Sequence, residues 1–234
     1  MKKVLITGGS RGIGAQCVKD FAELGYSVYF LYNKSKEKAE ALSEETGAVG
    51  VKCDISKADE VKSAISQIGD IDILVNNAGI SEIKMFQDIT ERDWDRMFDI
   101  NVKGMFLVTK AVVSGMIRKK LGRIINISSM WGEVGASCEV HYSASKAAVI
   151  GFTKALAKEI GPSGITVNCV SPGVIMTEMN SHLSDEDIDE LCEETPAGRM
   201  GNVSEVSKAV LYFADEKAGF VTGTVLGVNG GIIM

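Results

Sequence analysis

Short apolar runs alternate along the chain with longer segments of helical periodicity. The runs cover residues 4–7, 27–32, 48–53, 71–75, 122–127, 165–170 and 224–228, and most end in Gly, Asn, Asp or Ser. That length and those boundaries predict strands. Helical pattern fills the gaps: to about Gly25 after the first run, from Lys34 after the second, then 57–68, 91–119, a helix carrying Tyr142 and Lys146, and 203–215. A strand, a helix and a second strand within about 30 residues make a βαβ unit, so the strands pair in parallel. About seven such strands predict an α/β fold, a doubly wound parallel sheet, with 1–234 as a single domain. Residues 174–200 interrupt the alternation. They are polar and acidic with helical pieces, and they follow a strand's carboxyl end, which predicts a lid.

Composition narrows the class. In 234 residues, 45% hydrophobic, there is material for one sizeable core. The net charge of −6 and pI near 5.1, with no basic stripe, predict no nucleic-acid partner. No uninterrupted apolar run approaches about 18 residues, so no membrane span is expected. Gly8 and Gly9 cut short the first apolar run, so it is not a signal peptide. Cys17, Cys53, Cys138, Cys169 and Cys192 are odd in number and lack C-x-x-C spacing, which predicts reduced thiols in a cytoplasmic protein. With His141 and His182 the only histidines, no metal site is expected.

Candidate chemistry gathers at the strands' carboxyl ends, where open α/β sheets bind ligands. The first strand runs into Thr7-Gly8-x-x-x-Gly12-x-Gly14, with Ser10, Arg11 and Ile13 inside the turn, and then into a helix. Free backbone N–H groups at such a helix start face an anion, and glycine lets the anion come close. After the second strand stands Asn33-Lys34-Ser35 rather than the carboxylate that would hold an NAD ribose. Lys34 and Arg11 could bind a 2′-phosphate instead, favouring NADP(H). Lys34 also simply opens the charged face of the next helix, and both readings can hold at once. Asp54, Asn77-Ala78-Gly79, Ser129 and Pro172-Gly173 close later strands, and Asn101 falls inside a helical segment. An Asn there is either exposed or has its amide in use. Tyr142 and Lys146 stand four apart on one helix face, where a cation would lower the phenol's pKa from about 10. Alone, that pair is equally what a surface helix would carry.

Taken in register, these residues resemble the short-chain dehydrogenases/reductases across the whole chain: Thr7-Gly8-x-x-x-Gly12-x-Gly14, Asn76-Asn77-Ala78-Gly79, Asn101, Ser129, Tyr142-x-x-x-Lys146 and Pro172-Gly173. The resemblance implies a Rossmann-type sheet of order 3-2-1-4-5-6-7, a nicotinamide cofactor and a homotetramer. It implies a tetrad in which Tyr142 is the general acid, Ser129 steadies the carbonyl oxygen, Lys146 lowers the Tyr142 pKa and holds the ribose, and Asn101 anchors a water. It places Thr177 on the cofactor carboxamide, Ile175 beside it in the cofactor site, and Asp54 with Ile55 near adenine. Within the family the chain is most similar to bacterial 3-oxoacyl-[acyl-carrier-protein] reductases of fatty acid biosynthesis, which implies a carrier-bound or small-molecule ketone substrate. Arg118-Lys119-Lys120 keeps some of the basicity suited to an acidic carrier, but Ser163 stands where a basic residue is frequent. The loop 130–140 is similar instead to that of reductases acting on the 5-aminopentanone modification of elongation factor P. Trp131 and Glu139, or Glu133, are then substrate candidates, with a small-molecule or steroid ketone as a further alternative. The competing class is a non-catalytic NADP(H)-binding sensor on the same fold.

Overall fold

The computed structural model describes residues 1–180 and 184–234. Its strands are β1 (Lys3–Thr7), β2 (Ser27–Tyr32), β3 (Val49–Lys52), β4 (Ile73–Asn76), β5 (Gly122–Ile127), β6 (Ile165–Pro172) and β7 (Val225–Val228). They form one sheet in the order β3-β2-β1-β4-β5-β6-β7, every pair parallel. This is the expected Rossmann-type arrangement.

The inner runs β1, β4, β5 and β6 are mostly apolar along their length because both sheet faces are covered there, whereas the edge strands β3 and β7 keep exposed positions. Successive side chains point to opposite faces, and the two halves of the core divide accordingly. Val4, Ile6, Ile73, Val75, Ile125, Ile127 and Val170 face one side, with Cys17, Val18 and Phe21 of α1 (Gly12–Glu23). Leu5, Leu74, Ile124, Ile165 and Val167 face the other. The helices α2 (Lys36–Thr46) and α9 (Val203–Ala214) lie on the α1 side; α3 (Ala58–Ile68) and α5 (Met105–Lys119) lie on the other. Between β5 and β7 come α6 (Trp131–Val134), α7 (Val140–Ile160) and α8 (Asp185–Glu194).

Two elements differ from the sequence expectation. The helix from Glu91 to Lys119 is continuous but not uniform: α4 (Glu91–Phe98) passes through a π-helical segment, Asp99–Gly104, before α5. Over 29 residues it is also long and apolar enough to cross a membrane by composition. Its apolar residues Met97, Met105, Val108, Val112 and Met116 are instead buried within the fold. Secondly, the loop 130–140 holds a short helix, α6, which packs directly on α7. A Cβ added at Gly132 would lie 2.7 Å from the backbone carbon of Lys146.

Candidate active site

The glycine turn is shaped by close backbone approaches. Gly8 has φ +65, and a Cβ there would stand 2.8 Å from Ala78 Cα. A Cβ on Gly14 would stand 2.3 Å from the Gly8 carbonyl oxygen. No real side chain occupies such positions. The turn is tied to the end of β4: Thr7 Oγ1 accepts from the Asn77 and Ala78 amides at 3.0 Å each, and Asn77 Nδ2 donates to the Thr7 and Gly8 carbonyls at 3.0 and 3.1 Å. The Asn77 amide thus braces the turn. Arg11, the N-cap of α1, makes no capping hydrogen bond with its side chain, so the orphan N–H groups of the first helical turn remain for an anion.

At the neighbouring strand ends the adenine-side candidates separate. Asp54 is held by the Ser56 amide and hydroxyl at 3.0 and 2.7 Å and by the Asn33 side chain, bonds that together lower its pKa despite partial desolvation. Ile55 is buried, with its side chain packed under Gly104, so it offers only backbone to a ligand. Lys34 is exposed, and Ser10 and Ser35 are half-buried.

Buried polar side chains line the sheet beneath α7. Tyr142 is 8% exposed, Lys146 5%, Ser129 8% and Asn101 2%. Lys146 Nζ donates to the Ile127 carbonyl at 2.9 Å and lies 5.7 Å from the centre of the Tyr142 ring. The Ser129 hydroxyl lies near enough to the Tyr142 phenol to lower its pKa. A Cβ at Gly79 would sit 3.2 Å from Asn101 Oδ1 and 3.4 Å from Lys146 Nζ, so glycine keeps this junction open. The structure therefore brings Asn101, Ser129, Tyr142 and Lys146 to one place.

One role anticipated for these groups needs correction in the free protein. The net effect on the Tyr142 phenol is upward, not downward. Burial dominates and pushes it up to about 12, against the opposing Ser129 hydroxyl, with Glu139 adding a further rise. Burial also pushes Lys146 down to about 8. In a desolvated site each group resists charge, and this outweighs their mutual effect. The Asn101 side-chain amide is bonded to protein groups on both sides. Oδ1 accepts from the Ile80 amide at 2.8 Å, and Nδ2 donates to the Ile80 carbonyl at 2.9 Å and to Ser145 Oγ at 3.0 Å. It clamps the chain after β4 onto α7. π-helical turns recur at functional sites, and Asn101 lies in this one.

Several supporting contacts escaped the sequence reading. Ser128 Oγ donates to the Lys146 carbonyl at 2.8 Å. Asn76 Nδ2 donates to Thr109 Oγ1 and Asn126 Oδ1, and Asn126 Nδ2 donates to Thr153 Oγ1, all at 2.9 Å. The one available signal was an Asn at the same level of two adjacent apolar strands, Asn76 beside Asn126.

A cleft of about 570 Å³ opens over these groups. Its walls include Ile13, Asn77, Gly79, Ser129, Tyr142, Lys146, Pro172, Gly173, Ile175 and Thr177. Trp131, Glu139, Glu82 and Ile83 line it as well. The two candidate carboxylates of the 130–140 loop part company: Glu139 faces the cleft and accepts from Ser81 Oγ at 2.5 Å, whereas Glu133 accepts from the buried Ser171 Oγ and is absent from the lining. From the 174–200 segment, of which 181–183 lie outside the described residues, Val174, Met179, Asn180 and Leu191 line it beside Ile175 and Thr177.

Comparison with known proteins agrees with this geometry. The family model described as short chain dehydrogenase matches residues 2–188. A 3-oxoacyl-[acyl-carrier-protein] reductase FabG of Staphylococcus epidermidis is 42% identical, covering 100% of this chain and 99% of its own. An acetoacetyl-CoA reductase of Shinella zoogloeoides is 40% identical, with 97% and 96% covered. The crystal structure of a 3-oxoacyl-[acyl-carrier protein] reductase from Brucella melitensis, 34% identical, superposes with a TM-score of 0.94 over 100% of this chain and 91% of that one. With sheet order, polar cluster and full-length similarity in agreement, the chain belongs to the short-chain dehydrogenase/reductase family, whose members are oxidoreductases acting on CH–OH and C=O groups.

Proposed function

We propose that the protein is an NADPH-dependent reductase of a 3-oxoacyl thioester, with Asn101, Ser129, Tyr142 and Lys146 as its working residues and residues 174–200 as a lid on one domain. The observation that carries this reading is the convergence of the buried Ser129, Tyr142 and Lys146 side chains on the wall of one cleft. The uncapped start of α1 above the glycine turn fits a dinucleotide's phosphates. When bound, NADPH supplies the hydride that reduces a carbonyl carbon.

Each residue's part follows from its surroundings. A carbonyl oxygen gaining negative charge needs a donor, and Ser129 and Tyr142 present two hydroxyl groups together. With its pKa near 12 in the free protein, Tyr142 holds its proton throughout the neutral range and can deliver it as general acid. Lys146, anchored to the Ile127 carbonyl, sets a positive charge beside the ring and reaches toward the ribose side of the cleft. That charge counts for more once a phenolate begins to form in a site that excludes water. Asn101 positions α7 through Ser145 and Ile80. The protein is read as a cytoplasmic homotetramer, by likeness to the family.

A second reading concerns the substrate, and Glu139 favours it. Glu82 and Glu139 both line the cleft, and Lys146 is the only ammonium or guanidinium group in that lining among the described residues. A carboxylate pair at the mouth suits a ketone bearing an amine, such as the 5-aminopentanone group on elongation factor P, better than an acidic carrier. NADPH oxidation measured with an acetoacetyl-carrier thioester and with aminopentanone-modified elongation factor P decides between them. Preference for the thioester supports the first reading; preference for the amine supports the second. In the second case Glu139→Gln lowers kcat/KM for the amine about tenfold, in the range of charged hydrogen bonds. Tight NADPH binding without turnover of any ketone would identify a sensor instead.

A further inference from the structure

One carboxylate stands where an external anion is expected. Glu178 opens the short turn Glu178–Asn180, directly after Thr177. This part of the chain crosses over the glycine turn: a Cβ at Gly12 would meet Thr177 Cγ2 at 3.6 Å. From there the Glu178 carboxylate reaches cations on two other elements. Oε2 lies 4.0 Å from Arg11 Nη1, on the glycine turn, and Oε1 accepts a hydrogen bond from Lys38 Nζ, in the first turn of α2. Lys38 has no carboxylate four residues away in either direction, where Lys34, ahead of α2, and Leu42, within it, stand; its neighbour Lys36 pairs locally with Glu40. The pairings lower the Glu178 pKa, the Lys38 hydrogen bond contributing most.

Arg11 and the start of α2 are also where Arg11, Asn33, Lys34 and Ser35 would meet a 2′-phosphate. We propose that Glu178 is an internal anion occupying the 2′-phosphate subsite, and that Lys38 joins Arg11 as one of that subsite's cations. This rests on the NADPH reading above. A phosphate monoester brings between one and two negative charges near neutral pH, against one for Glu178, so it displaces the carboxylate from Arg11. Glu178 thereby lowers affinity for a 2′-phosphorylated nucleotide without touching one that lacks the group. In the free protein it ties the segment after β6 to the cofactor half of the cleft.

Calorimetric titration of the full chain with adenosine 2′,5′-bisphosphate and adenosine 5′-monophosphate tests this directly, without turnover. Glu178→Gln is expected to tighten the bisphosphate about two- to fivefold, the range open to exposed ion pairs, and to leave the monophosphate unchanged. Lys38→Met is expected to weaken the bisphosphate by a similar factor, again alone. Both side chains are more than half exposed, so neither change threatens the fold. Equal shifts for both nucleotides, or no shift in either variant, overturn the proposal while leaving NADPH preference intact. If the unaltered protein binds the bisphosphate no better than the monophosphate, the NADPH reading fails and this inference falls with it.

Discussion

The turn at 8–14 and the loop at 130–140 both follow a strand's carboxyl end and both border the cleft, yet they are built on different principles. The first is shaped by close backbone approaches, Gly8 against Ala78 and Gly14 against the Gly8 carbonyl, and braced to β4 by two side chains, Thr7 and Asn77. The second is held mainly by side chains: Glu133 on Ser171, Ser143 Oγ on the Ala136 amide at 3.1 Å, Glu139 on Ser81. A site shaped by backbone tolerates few sequences and suits one task, which we propose is binding a dinucleotide. A site fixed by side chains can be rewritten residue by residue, and we propose that substrate choice is set there.

Gly14→Ala is the strongest way to break this comparison. Its Cβ would fall inside the Gly8 carbonyl contact, and relieving such an overlap costs about 1–3 kcal/mol or more. Dinucleotide affinity, followed by nicotinamide fluorescence, is expected to fall at least about a hundredfold, which corresponds to nearly 3 kcal/mol. An alanine variant with normal affinity would show that the turn is not backbone-limited.

Gly132→Ala sharpens the contrast from the other side. It lies in the side-chain-held loop but packs on the Lys146 backbone, where the new Cβ would meet Cβ and the carbonyl oxygen at 2.9 Å. Thermal unfolding should show a loss of about 1–3 kcal/mol. Turnover should fall with every ketone alike, because Lys146 moves. A change confined to one substrate would mean the glycine serves the loop and not the lysine.

Much of the fold was legible because the physics is local. Strands buried on both faces must be apolar, and the seven runs fell where the sheet puts them. The turn at 8–14 was legible for the same reason, since only glycine satisfies its contacts. Less legible was anything set by distant packing. The π-helical segment around Asn101 leaves no mark in a pattern of apolar spacing. The Asn76–Asn126–Thr153 chain joins three elements by hydrogen bonds 50 and 27 residues apart. The charge states of Tyr142 and Lys146 could not be read from their four-residue spacing, because burial of both, which the spacing does not report, decides them. Glu133 and Glu139 were interchangeable on paper, and only the direction of α6 and the start of α7 separates them.

That burial carries its own smaller prediction. Lys146 in the folded protein has its pKa depressed from 10.5 to about 8, so between those values the unfolded chain binds the proton and the folded one does not. Stability attributable to this group therefore rises with pH across that window, and its cost is fully present below about 8. Denaturant unfolding of the protein and of Lys146→Met at several pH values checks this: the difference should shift in favour of the lysine form as pH climbs from about 8 to 10.5. A difference independent of pH there would mean that the ammonium is well solvated.

The central claim, that a buried tyrosine delivers the proton to a ketone above the end of β5, is tested most directly by Tyr142→Phe. The change removes one oxygen from a packed ring and leaves the glycine turn untouched. With the better ketone of the two compared above, kcat/KM is predicted to fall by about two to four orders of magnitude, the usual worth of a positioned general acid, while NADPH affinity in the same preparation changes less than about threefold. A phenylalanine variant that keeps its turnover would contradict the account.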